Sequence, residues 1–224
     1  LPSAEFGVFL IYLGAISMLI AEIAGLAQTN LKRLFAYSSL GQVALIFSAF
    51  ALGNPDAIQA ALFIAIAHTL AKVILFLAIS TIEKEYKRVD IAVLKELNAP
   101  FLRAVMLIAM LSLLGIPLFA GFVGKLLLLK NLAVSGMLGV LAIIVLSSLI
   151  EAVYYFKLSG FMFNKQEKKE SFKIDLPQKF VFSLLSFLII IIGVAPFIFS
   201  SALADMANMM LDTNAFINIL KGGE

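Results

Sequence analysis

The chain has 224 residues, 62% of them apolar and only 14% charged, with a net charge of +3 and a mean hydropathy of +1.05. This lies outside the range of a soluble globular domain and reads as an integral membrane protein. There is no cysteine, so thiolate-bound metals, iron–sulfur clusters, disulfides and cysteine nucleophiles are excluded within the chain.

A bilayer core of about 30 Å needs roughly 20 apolar residues per helix. No basic segment precedes the first apolar run after Leu1, so the reading expects no secretory signal peptide; residues upstream are expected to be missing or on another chain. Span 1 is predicted at 6–27, span 2 at 36–52 and span 3 at 57–80, joined by "TNLKR" and the turn "GNPD". A polar stretch follows, "EKEYKRVDIAVLKELNAP", in which Ile91, Val93, Leu94 and Leu97 are expected to form one face of a short helix at the membrane surface.

Residues 101–134 are too long for one straight crossing and carry Gly115, Pro117, Gly121 and Gly124 in their middle. The prediction is a broken helix of two halves, whose freed backbone must be buried in protein or face water. Span 5 is expected at 137–159 and span 6 at 179–200, separated by the basic loop "FNKQEKKESFKIDLPQK". The tail is apolar but interrupted by Asp205, Asn208, Asp212 and Asn214, which suits an interfacial helix over 201–221. The expected organisation is a membrane domain over 1–200 and an amphipathic interfacial tail over 201–224.

Thirteen of the 17 Lys and Arg residues fall in loops that six alternating spans place on one face, among them Lys32, Arg33, Lys84, Lys87 and Arg88. That face is expected to be cytoplasmic, with both ends outside. These basic runs read as topology signals and lipid-headgroup contacts, and nucleic acid is excluded as a partner because no soluble basic surface is evident.

A charged side chain at the centre of a membrane helix costs about 2.5–3.5 kcal/mol on insertion scales, so each needs a reason. His68, the chain's one histidine, lies in mid-span 3 within "IAIAHTLAKVILFLAIS", and Lys72 follows at i+4 on the same helical face. Two cations there repel and each charged form is disfavoured by desolvation, which makes the pair suited to passing a proton. The bland alternative is a histidine bonded to a carbonyl and a lysine snorkelling to the interface. Lys125 follows the glycines of the broken helix, where half-helix ends can hold water or ions, or where it would simply cap the break. Glu151, near the centre of span 5 with Ser147, Ser148, Tyr154 and Tyr155 about one turn away, is expected to pair with Lys125 or with a partner's lysine. Glu22 in span 1 is a secondary candidate, since it can also reach toward the interface. No catalytic residue and no metal site is expected. Ionisable groups at similar depth on several helices form a row across the membrane plane, which suits lateral proton relay better than a pore.

Three ordered stretches resemble the antiporter-like subunits of respiratory complex I, Mrp-type cation/proton antiporters and energy-converting membrane-bound hydrogenases. They are "AQTNLKRLFAYSSLGQVALI", where Gln42 stands at a position many members fill with histidine, "AHTLAKVILFLAIS" and "GIPLFAGFVGKLLLL". The resemblance covers about residues 6–200 and implies the second half of a family member: one five-helix repeat plus one extra helix, all-α. It matches His68 and Lys72 to central proton-relay positions and Lys125 to the key residue of the broken helix. Glu151 is not a position the wider family always charges, and its presence leans toward the hydrogenase and Mrp branch. The earlier repeat is then expected to be absent here or on a separate polypeptide.

The expected function is therefore ion translocation, of protons or of protons against sodium, as a membrane subunit of a redox-driven respiratory complex. Its partners would be other membrane subunits and the bilayer, and cofactors would belong to those partners. The alternatives are a subunit of an Mrp-type antiporter without redox partners, a structural membrane anchor, and a stand-alone transporter, against which the lack of a second internal repeat counts.

Overall fold

A computed structural model describes residues 4–163 and 173–212. The described chain folds into α1 (Ala4–Leu26), α2 (Leu31–Ala51), α3 (Pro55–Tyr86), α4 (Val93–Glu96), α5 (Pro100–Leu114), α6 (Ala120–Val134), α7 (Leu138–Phe163), α8 (Leu176–Val194) and α9 (Phe197–Leu211). Among the described residues five helices are long and apolar enough to cross a membrane: α1, α2, α3, α7 and α8. The pair α5 and α6, 15 residues each, makes the sixth, broken crossing. The all-helical polytopic architecture expected from composition is present.

Local chemistry sets the helix ends. Asn30 accepts a hydrogen bond from the Arg33 amide and so starts α2 five residues earlier than hydropathy alone suggests. Asn54 does the same for Ala57, with Pro55 at the first helical position and Asp56 in the first turn of α3. With 32 residues, α3 is about 48 Å long at about 1.5 Å per residue. It runs well past the hydrophobic core at its "EKEY" end and is packed by α2, α5, α6, α8 and α9.

The break between α5 and α6 falls where the glycines and Pro117 predicted it. Gly115 adopts φ 77°, a left-handed conformation that glycine takes without steric cost, and Leu118 follows at φ 80°. The freed backbone is satisfied internally: the Gly115 and Ile116 amides bond back to Leu111, and the Gly121 amide bonds to the Ser112 hydroxyl. On α6, Gly124 lets the backbones of α3 and α6 nearly touch. A Cβ there would meet the Ile64 nitrogen at 2.8 Å and the Ala60 oxygen at 3.0 Å.

One expectation is overturned. Ile91, Val93, Leu94 and Leu97 do not form a face lying on the membrane surface; all four are buried in the main apolar cluster with α3 and α5 residues. Only Val93–Glu96 is helical, because Asp90 instead pairs with Asn30 in an isolated bridge, through Leu31 to Val89 and Ile91 to Thr29 hydrogen bonds. That pairing pulls the segment inward, where it packs against protein.

The final span also ends earlier than 200, since α8 stops at Val194 and α9 starts after Pro196. Helix α9 packs on α3, with Leu203 and Ala207 buried and Gln59 donating to the Ser200 carbonyl at 2.7 Å. The rest of the helix expected over 201–221, and Lys165, Lys168 and Lys169 of the basic loop, lie outside the described residues.

Polarity is distributed opposite to that of a soluble protein. Phe9, Leu13, Ile16, Ile20 and Ile23 face outward on α1, while Glu22, Ser38, Gln42, Lys72, Ser112, Lys125, Ser147 and Glu151 are buried inside.

Candidate functional site: a buried polar seam

The buried faces of α1, α2 and α7 recur every three to four residues, which is what turns the polar residues inward. On α7 that face is Val140, Ile144, Ser147, Glu151, Tyr154, Tyr155, Leu158 and Met162. On α2 it includes Leu34, Phe35, Ser38, Gly41, Gln42 and Leu45. Glu22 occupies the same stripe of α1 as Ala15 and Met18.

Two polar groupings result. In the first, the Lys125 Nζ of α6 donates to Glu151 Oε2 of α7 at 3.0 Å, and the pair is almost wholly shielded, with side-chain exposures of 10% and 0%. Gln42 of α2 donates to the same carboxylate, 2.9 Å from Oε1 and 3.1 Å from Oε2, and its amide also lies 3.5 Å from the Leu113 carbonyl, just before the helix break. Glu151, on α7, is thereby held by two other helices, α2 and α6. The expected pairing of Glu151 with Lys125 is formed, within the chain itself.

In the second grouping, the Lys72 Nζ of α3 donates to the Ser38 hydroxyl at 2.7 Å and to the Phe35 carbonyl at 3.1 Å, both on α2. Its charge also lies 5.5 Å from the centre of the Phe35 ring. Ser38 is 2.7 Å from the Tyr155 hydroxyl, and on the neighbouring position the Tyr154 hydroxyl donates to Glu22 Oε2 at 2.6 Å. Glu22 therefore does not reach toward the interface; it is fully buried, and its Oε1 has no hydrogen-bond partner.

His68 connects to neither grouping by a hydrogen bond. Its Nδ1 is buried without a partner, and the side chain stands with Gln42, Ser112 and Lys125 around a gap too narrow for a water molecule. Lys72, four residues on, is turned toward α2. It neither snorkels nor bonds His68. The five candidates thus lie in one interior, spread over α1, α3, α6 and α7, but Lys125 and Glu151 fall in one group, Lys72 and Glu22 in another, and His68 is bonded to neither.

Sequence reasoning assigned no part to Gln42, Ser38, Tyr154 or Tyr155. The signal for the first two was present in "AYSSLGQ", whose Ser38 and Gln42 are four apart and so share a helical face.

Residues 2–151 match the family described as NADH:quinone oxidoreductase/Mrp antiporter, transmembrane. The chain belongs to this family. It is 32% identical over 201 residues to the NADH-quinone oxidoreductase subunit N of Desulforamulus reducens, a match that covers 88% of this chain and 41% of that relative. Its fold is similar to a chain of the membrane-bound sulfane sulfur reductase, an archaeal respiratory membrane complex, with a TM-score of 0.88 and 30% identity over 96% of this chain and 44% of that one. It is also similar to a chain of NADH-bound respiratory complex I from Thermus thermophilus, with a TM-score of 0.82 and 26% identity over 93% and 45% of the two chains. This antiporter-like chain spans less than half the length of the relatives it matches. The family membership implied by the three motifs is borne out.

Proposed function

We propose that this chain is the second antiporter-like repeat and final helix of an ion-translocating membrane subunit, working within a redox-driven respiratory complex. The observation that carries the reading is the Lys125–Glu151–Gln42 cluster. A buried ion pair is poor value for stability, since well-packed apolar residues usually do as well. Intramembrane ionisable groups held at a helix break suit ion handling instead.

In this reading Lys72 and His68 receive and pass a proton within the membrane, and Lys125 relays it toward the outer half-channel or an adjacent subunit. Glu151 tunes the proton affinity of Lys125 by its charge, and Glu22 is a further station. The transported ions are protons, or protons exchanged for sodium. Partner subunits supply the first repeat and the redox centres, as the family resemblance implies, and the basic loops face the cytoplasm.

Coupled flux of protons and sodium in liposomes carrying the whole complex tests this. Lys125→Ala and Lys72→Ala are each expected to abolish it while the complex still assembles, and normal flux in both variants would end the proposal. Sidedness is open to a clean test because the chain has no native cysteine. A Lys84→Cys variant should react with an impermeant thiol reagent from the cytoplasmic side, and an Asp56→Cys variant from the opposite side.

A further inference from the structure

The hydrogen bonds of Lys72 lead away from Lys125. Its ammonium donates to Ser38, Ser38 meets Tyr155, the rings of Tyr155 and Tyr154 touch edge-on with centroids 4.7 Å apart, and Tyr154 donates to Glu22. All five side chains are buried. The row runs from α3 through α2 and α7 to α1.

Its two ends are chemically complementary. Among the described residues Lys72 and Glu22 form no salt bridge, whereas Lys125 and Glu151 have each other. An isolated buried cation and an isolated buried anion each carry a large desolvation cost, and one proton moved from the first to the second removes both charges. Hydroxyls between them can donate and accept at once.

We propose that Ser38, Tyr155 and Tyr154 form a hydroxyl branch through which Lys72 exchanges a proton with Glu22, making α1 a second terminus of the relay beside Lys125. The Lys72 ammonium gives a proton to Ser38 Oγ as Ser38 passes its own to Tyr155. The two tyrosines touch through their rings, so a side-chain shift that brings their hydroxyls together lets Tyr155 pass one to Tyr154, and Tyr154 passes one to Glu22 Oε2 along its existing hydrogen bond. Lys72 ends as a neutral amine and Glu22 as a neutral acid, with all three hydroxyls restored and no net charge change. Gly41 on α2 forms the seat of the receiving carboxylate, because a Cβ at that position would collide with Glu22 Oε1.

The inference rests on the reading of Lys72 as a proton carrier, and the test separates the two. Flux is measured in liposomes holding the whole complex, with assembly followed by co-purification. Infrared difference spectra under turnover follow the protonated-carboxyl band. The isosteric variants Tyr155→Phe, Tyr154→Phe and Glu22→Gln keep the packing. The wild type is expected to show a protonated-carboxyl band that Glu22→Gln removes. Tyr155→Phe and Tyr154→Phe should abolish that band and slow flux at least about tenfold, a barrier increase of ~1.4 kcal/mol. Should a phenylalanine variant fail to assemble, Ser38→Ala cuts the same row with the smallest packing change and is expected to behave alike. An unchanged band and unchanged flux in these variants, with flux still lost in Lys125→Ala, would overturn the branch and leave the proposed function standing. Normal flux in Lys72→Ala and Lys125→Ala would remove both.

Discussion

The two buried carboxylates among the described residues, Glu151 and Glu22, live in opposite circumstances. Glu151 is met by a lysine and by a side-chain amide, both of its oxygens are used, and two other helices converge on it. Glu22 is equally buried, yet has one tyrosine hydroxyl, one oxygen without a partner and, among the described residues, no salt bridge. The first is a carboxylate both of whose oxygens the fold supplies with donors. The second is a group the fold accommodates sterically, at Gly41, without answering its charge. Burial therefore does not decide what a carboxylate does; the supply of donors around it does.

That contrast can be broken at its strong side first. Lys125→Ala or Glu151→Gln leaves the remaining partner's charge buried alone, and each is expected to cost about 3–5 kcal/mol. Thermal unfolding of the purified complex reads this as a clear drop in Tm. Replacing both at once, as Lys125→Met with Glu151→Leu, should recover most of the loss, because the cost lies in the orphaned charge.

At Glu22, Gly41→Ala inserts a methyl group into the carboxylate's seat and should cost about 1–3 kcal/mol by overpacking, despite alanine's better helix propensity. Pairing it with Glu22→Ala in a double-mutant cycle should return part of that cost, since the colliding atom is then gone. Glu22→Gln alone should change stability by ~1 kcal/mol or less, because an amide oxygen of the same shape still accepts from Tyr154. A Tm loss as large as that of Glu151→Gln would erase the distinction between the two carboxylates.

The smallest effect belongs to the exposed pair Lys32–Glu83, 2.6 Å apart with both side chains near half-exposed. Lys32→Ala is expected to cost ~0.5 kcal/mol at low salt and less at high salt. It calibrates how little an ion pair contributes once water surrounds it.

Much of this was legible in the sequence because burying charge is costly. His68, Lys72, Lys125, Glu151 and Glu22 announce themselves as polar residues in apolar runs, and the broken helix is written in Gly115, Pro117 and Gly121. The partners were not legible. Gln42 and Glu151 lie 109 residues apart, Ser38 and Tyr155 117, and Tyr154 and Glu22 132. Helical periodicity says which residues face inward, but not which inward residues of two helices end at the same level. The stretch around Ile91 failed for a related reason. Its apolar spacing fits a helix face on lipid as well as a loop buried in protein, and the deciding contact is a backbone pairing with Asn30, sixty residues earlier in the chain.

Helix α3 is continuous where its neighbour is broken. It is held to α9 through Gln59 near one end, carries His68 and Lys72 in its middle, and reaches Lys32 through Glu83 near the other end. One continuous helix thus joins these contacts, pressed backbone to backbone against the half-helix that bears Lys125. A side chain at Gly124 would therefore push the half-helix that bears Lys125 away from the helix that carries His68 and Lys72.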